Sequence, residues 1–138
     1  MSSSPQPRLF TLQEAQALLP ILEPLLRTLQ NNLAAFERKN EELDKLVGEP
    51  SRGSGHYIEQ ESRIRSAREE LEQLTSVAQQ SLHAIQKHGC ELKDVRNGLL
   101  DFRAFRDGRV VYLCWRQSEP EIAYWHELDT GFAGRQPL

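Results

Sequence analysis

The chain has 138 residues, of which 38% are apolar and 27% charged, and its net charge is −3. That length suits one domain, and the balanced charge lacks the basic excess that nucleic-acid binding requires, so no nucleic-acid partner is expected. No apolar run reaches the roughly 18 residues needed to cross a bilayer, the start MSSSPQPRLF has no apolar signal segment, and the two cysteines, Cys90 and Cys114, are too few for a disulfide framework; a cytoplasmic protein without membrane attachment is expected.

Residues 1–10 read as a flexible arm. A helix begins at Thr11, because Thr11 and Glu14 have the spacing of a capping box, in which each side chain satisfies a free backbone N–H of the first turn. A heptad row follows: Ala15, Leu22, Leu29, Phe36 and Leu43. Its companion row is Leu18, Leu25, Asn32, Lys39 and Leu46. Pro20 and Pro24 fall inside the helix, where each removes a donor; a kink near Gln16–Pro20 is expected rather than a break. The helix should reach about Val47. GEPSRGSG, residues 48–55, is a turn by composition. A second helix repeats the period with Tyr57, Ile64, Leu71, Ala78 and Ile85, and Gly89 is its stop. Two long helices joined by a short turn form an antiparallel hairpin over 11–88. Its apolar stripe is broad near the start of the first helix and narrow at the tip. The broad end therefore needs a further packing partner.

Residues 89–138 supply that partner. Asp107-Gly108 in FRDGRVVYL is a two-residue hairpin turn of the primed type. It pairs Arg106 with Arg109 and, residue by residue, Leu100 with Trp115. One face of the hairpin then carries Leu100, Phe102, Ala104, Val111, Leu113 and Trp115, all apolar, which supports the register. A third strand after QSEP is set by pairing Arg116 with Glu121. Leu113 then meets Tyr124 and Val111 meets His126, so His126 faces inward and Glu127 and Trp125 face outward. A short fourth strand is possible at Glu91–Asp94. The expected fold class is α+β: one domain, with a long coiled-coil-like helical hairpin packed at its base on a three- or four-stranded antiparallel meander.

The chain resembles an uncharacterised prokaryotic family, the domain-of-unknown-function family numbered 2203. The resemblance lies in FTLQEAQALLPILEPLL at 10–26, GCELKDVRNGLLDF at 89–102 and DGRVVYLCWRQSEPEIAYWHELDTGFAGRQPL at 107–138. It implies no activity and no catalytic residues, and it places the family's signature in the C-terminal sheet.

Two places carry candidate chemistry. Adjacent strand residues point to opposite faces, so His126 and Glu127 cannot readily hold one ion. His126 reads instead as a residue at the rim of the core, bonded to a backbone carbonyl or a helix end. The outer face gathers Asp101, Arg103, Tyr112, Cys114, Arg116 and Trp125. Its two guanidinium groups suit an anionic ligand, while ordinary cross-strand pairing is the plainer account of the same residues. No histidine shares the expected face of Cys114, so no Cys/His nucleophile is set up. No catalytic residue, metal-ligand set or cofactor is expected. The heptads admit a homodimer or a protein partner docking through the hairpin. A non-catalytic interaction or scaffold role through the hairpin is the leading expectation, and a small-ligand site or minor enzyme on the outer sheet face is the alternative.

Overall fold

The computed structural model describes residues 7–49 and 54–138. Residues 50–53, the middle of the expected turn, and residues 1–6 of the expected arm lie outside the described residues. Helix α1 spans Leu12–Gly48 and helix α2 spans Ser54–Gln86. They are followed by strands β1 (Glu91–Asp94), β2 (Leu99–Arg106), β3 (Arg109–Arg116), β4 (Tyr124–His126) and β5 (Gln136–Pro137). The five strands form one antiparallel sheet in chain order. A helical hairpin and an antiparallel sheet make the chain an α+β protein. No helix among the described residues is long and apolar enough to cross a membrane.

The chain divides into two compact units, Met1–Arg27 with Leu82–Leu138, and Thr28–Ser81. In the first, the capping box closes as its spacing predicts: Thr11 N–H donates to Glu14 Oε1 at 2.9 Å and Glu14 N–H to Thr11 Oγ1 at 3.1 Å. The helix continues through Pro20 and Pro24. Ala15, Leu22 and Leu26, all fully buried, form the core with Ile85 and with Leu100, Phe102, Val111 and Leu113 of the sheet. The described end of the arm is anchored. Phe10 is buried, its N–H donates to the Arg103 carbonyl at 2.7 Å, and its ring meets Phe102 edge-on at 5.2 Å. Gly89, at φ 93°, takes the left-handed conformation expected of a helix stop.

In the second unit the two helices share a thinner seam. Leu29 and Ala67 are buried, while Phe36, Leu43, Leu46, Ile64 and Leu71 are half-buried. Lys39 bridges Glu42 at 3.2 Å and Glu70 at 2.9 Å. The Gln60 amide donates to the carbonyls of Leu46 at 2.6 Å and Glu49 at 2.8 Å, satisfying groups that the end of α1 leaves free.

The β2–β3 register matches the one set by the DG turn, from Arg106 opposite Arg109 to Leu100 opposite Trp115. Asp107 and Gly108 both have positive φ, 52° and 79°, as a primed turn requires. The β1–β2 pairing supplies the short fourth strand at Glu91–Asp94.

The third pairing overturns the expected register. Tyr112 lies opposite His126, Leu113 opposite Trp125 and Cys114 opposite Tyr124, one residue away from the expected alignment. The cause is the loop. Arg116 begins a tight turn in which Glu119 N–H donates to the Arg116 carbonyl at 2.8 Å and Arg116 N–H donates to Glu119 Oε1 at 2.7 Å. The Ile122 N–H then leaves the sheet to donate to Gln16 Oε1 at 2.9 Å, so Glu121–Ala123 are not paired to β3. A one-residue slip moves every side chain of a strand to the other face. Trp125 therefore joins Leu113 and Phe102 on the apolar inner face, 6% exposed. His126 joins Asp101, Tyr112 and Cys114 on the outer one.

Candidate functional site

The outer face is not open. Asp101, Tyr112, Cys114 and His126 are buried there, at 3%, 4%, 1% and 2% exposure. The chain after β4 accounts for this: Leu128, Gly131 and Phe132 border the same cavity as these four side chains. Arg135 holds that tail down. Its guanidinium donates to both Glu119 carboxylate oxygens at 2.7 Å and lies 4.0 Å from the Tyr124 ring centre and 4.6 Å from that of Phe132. Strand β5 then pairs with β4.

The cavity holds about 130 Å³, room for about four waters at liquid density. At its polar end, His126 Nε2 lies 3.1 Å from Asp101 Oδ2. His126 Nδ1 lies 2.7 Å from the Glu127 carbonyl. A carbonyl oxygen only accepts, so Nδ1 carries a proton and donates it there. The Nε2–Oδ2 contact then joins two groups that would both present lone pairs unless one proton, or a cation, lies between them. Burial pushes the Asp101 carboxyl above the ordinary carboxylate range, opposed by the charge and hydrogen bond of His126. Asp101 Oδ1 is buried with no hydrogen-bond partner, and besides His126 the carboxylate has only the weak bond from the Cys114 thiol.

Cys114 faces the same pair. One ligand atom from each of Asp101, Cys114 and His126 lies within 4.8 Å of the other two. Burial, with the Asp101 carboxylate beside it, pushes the Cys114 thiol up to about 12. Both nitrogens of His126 are engaged, by the Glu127 carbonyl and by Asp101. A protonated thiol beside a histidine with no free nitrogen is not an activated nucleophile.

A second network borders the first. Glu91 accepts from Tyr112 Oη at 3.0 Å, from Lys93 Nζ at 3.2 Å and from Arg103 Nε at 2.9 Å. Burial works against ionisation of Glu91, but the bonds from Lys93 and Tyr112 outweigh it and hold its carboxyl below the usual value. The Tyr112 ring lies 5.3 Å from the His126 ring and so connects the two networks.

Of the six residues expected to line a ligand site, Asp101, Tyr112 and Cys114 border the cavity. Arg103 is engaged by Glu91. Arg116 is exposed, with its guanidinium 6.0 Å from the Phe132 ring centre, and does not line the cavity. Trp125 is corrected to the inner face, where Arg106 and Arg109 lie over its ring at 4.9 and 5.6 Å. The expectation that no histidine shares the face of Cys114 is also overturned: His126, read as inward, lies with Asp101 and Cys114, one ligand atom of each within 4.8 Å of the other two. The backbone-carbonyl bond expected of His126 is present, to its own neighbour Glu127. Glu127 points elsewhere and clamps Arg109, whose Nε donates to its two oxygens at 3.0 and 3.1 Å. Sequence reasoning missed His126, Lys93 and the covering residues Leu128, Gly131 and Phe132. The signal for His126 lay in the loop length, since the Arg116–Glu119 turn uses residues that the expected pairing assigned to the strand.

Fold and site together define a small α+β protein with a cavity, polar at one end, between its sheet and its own C-terminal tail. The chain belongs to the family described as uncharacterized conserved protein, DUF2203, whose model matches residues 8–138. Searches of curated proteins and of solved structures found no match.

Proposed function

We propose that the protein acts by binding a small ligand in the cavity on the outer face of its sheet, without covalent catalysis by Cys114. One observation carries this reading: Asp101 Oδ1, on a side chain 4% exposed at the cavity wall, has no partner. Leaving a buried carboxylate oxygen unsatisfied costs on the order of 1–3 kcal/mol. A ligand that offers a donor or a positive charge removes that cost. This changes the expected ligand class, because the arginines suited to an anion are engaged elsewhere or lie outside the cavity. The test is native mass spectrometry of the protein as purified. A mass excess over the denatured chain, absent in Leu99→Trp, which fills the cavity, supports the reading. Equal native and denatured masses, with no retained species, refute it.

A second reading rests on the Thr28–Ser81 unit, where Val47, Tyr57 and Ile58 are 56%, 51% and 69% exposed. Exposed apolar side chains on a thin helical pair favour self-association with a second copy. Val47→Glu with Ile58→Glu then lowers the solution mass in light scattering from dimer to monomer; a wild-type chain that is monomeric at high concentration removes this reading.

A further inference from the structure

We propose that the cavity is a metal site, in which Asp101, His126 and Cys114 hold a divalent transition ion of the zinc class. This rests on the cavity-binding reading and names its ligand. Three features support it independently of one another.

The first is the donor set. Imidazole nitrogen, carboxylate oxygen and thiolate sulfur are the three ligand types zinc takes, and hard ions such as magnesium and calcium do not use sulfur. The second is the orientation of His126. A metal-bound histidine usually donates its other ring N–H to a carbonyl or carboxylate, which fixes the ring and its tautomer. His126 Nδ1 does this to the Glu127 carbonyl at 2.7 Å, leaving Nε2 aimed at Asp101. The third is spacing. Ligands at roughly 2.0–2.3 Å from a tetrahedral ion lie about 3.3–3.8 Å from one another. Nε2 and Oδ2 are 3.1 Å apart, and the widest separation in the set is within 4.8 Å. Closing the set to that spacing requires a shift of no more than about 1 Å.

An ion placed there answers a feature that the metal-free arrangement leaves open. It takes the place of the proton between Nε2 and Oδ2, and a water on its remaining position is a donor of the kind that Asp101 Oδ1 lacks. When the ion binds, the thiol proton and the proton between Nε2 and Oδ2 both pass to solvent, so binding releases two protons. Three protein ligands leave one position of a tetrahedron free. That position faces the cavity, which has room for about four waters and is bordered by Tyr112 and Lys93. The free position therefore takes water or a small exogenous ligand.

The decisive experiment titrates the full chain, stripped with chelator, with cobalt(II), and separately with zinc against a chromophoric chelator. About one cobalt per chain, with tetrahedral d–d bands and a near-ultraviolet sulfur-to-cobalt band, is the expected result. Cys114→Ser abolishes the sulfur band, while Cys90→Ala, at the other cysteine of the chain, keeps it. Asp101→Asn and His126→Gln weaken zinc binding by roughly 100-fold or more, and circular dichroism shows whether each remains folded. Cys114→Ser serves the same purpose if those two do not fold, since it changes one atom. No cobalt spectrum and no zinc competition in the folded wild-type protein overturns the proposal, as does a sulfur band that survives Cys114→Ser. The two readings fail separately. An organic species retained in native mass spectrometry and lost in Leu99→Trp, with silent cobalt and zinc titrations, overturns the metal and leaves the cavity reading in place. Silence in both experiments overturns both.

Discussion

Replacing His126 with leucine tests the buried pair most directly. His126 and Asp101 are 2% and 4% exposed, and their contact at 3.1 Å is what satisfies Oδ2. Oδ1 already lacks a partner, so His126→Leu leaves a buried carboxyl whose remaining side-chain bond is the weak one from the Cys114 thiol. Breaking a buried pair in this way costs about 3–5 kcal/mol. The reverse change, Asp101→Leu, leaves an imidazole still bonded to the Glu127 carbonyl with only Nε2 unpaired, a cost of about 1–3 kcal/mol. The double change leaves neither polar group behind. Apolar residues of similar volume often replace a buried pair at little cost, so the double variant is expected to be more stable than His126→Leu alone. The assay is urea unfolding in the presence of a chelator, followed by the fluorescence of Trp115 and Trp125, both buried in the same unit. With a slope of about 2 kcal/mol per molar urea, the midpoint of His126→Leu falls by about 2 M. A double variant whose loss equals the sum of the two single losses refutes the reasoning, because it means the two groups do not satisfy each other.

Phe102→Ala removes a ring that is fully buried and packed edge-on against Phe10, and is expected to cost about 3–5 kcal/mol in the same unfolding assay. Gly98→Ala destabilises for two reasons, since φ there is 66° and an added Cβ would lie 2.5 Å from Gln117 Oε1; Asn at this position, which tolerates positive φ better, should still be destabilising because the clash remains. The first-turn cap is pH-dependent. The backbone and side-chain bonds from Thr11 hold the Glu14 carboxyl below its ordinary 4.5. A depressed acid contributes stability that is present above the unfolded value and lost as pH falls through the folded one. Acid unfolding followed by circular dichroism is thus expected to be shallower below pH 4.5 in Glu14→Gln than in the wild type, and identical acid limbs would show that the cap does not contribute.

The fold was legible where one local signal fixed many residues. The Asp107-Gly108 turn determines the whole β2–β3 register, because a two-residue primed turn leaves no freedom in how its strands align. Thr11 and Glu14 place the start of α1 for a similar reason, as each meets a specific backbone donor. The site was only half legible. Asp101, Tyr112 and Cys114 inherit their common face from the DG turn. His126 depends instead on a seven-residue connection between β3 and β4, residues 117–123, whose course is set by Glu119 bonding back to Arg116 and by Ile122 bonding out to Gln16. The Gln16 bond joins residues 106 apart, and no periodicity in a strand reports such a contact.

That one-residue slip decides the chemistry of the site. In the expected register the outer face is a solvated set of arginines, an indole and an acid, suited to an anion. In the observed register the indole turns into the core and an imidazole takes its place beside a carboxylate and a thiol. The tail then matters as much as the strand. Arg135, bonded to Glu119 and stacked on Tyr124 and Phe132, carries residues 131–135 across that face and removes the set from bulk water. Burial in turn makes the unsatisfied oxygen of Asp101 costly, and an oxygen facing solvent would impose no such cost. Glu119 serves both steps: its Oε1 accepts the Arg116 N–H that sets the turn, and its carboxylate holds the Arg135 guanidinium that closes the tail. Glu119→Gln is therefore expected to loosen the tail and expose Cys114 together. Faster modification of Cys114 by a thiol reagent, with Cys90 replaced by alanine so that one thiol is counted, checks this; a modification rate equal to that of the Cys90→Ala parent would show that the tail closes the cavity without Glu119.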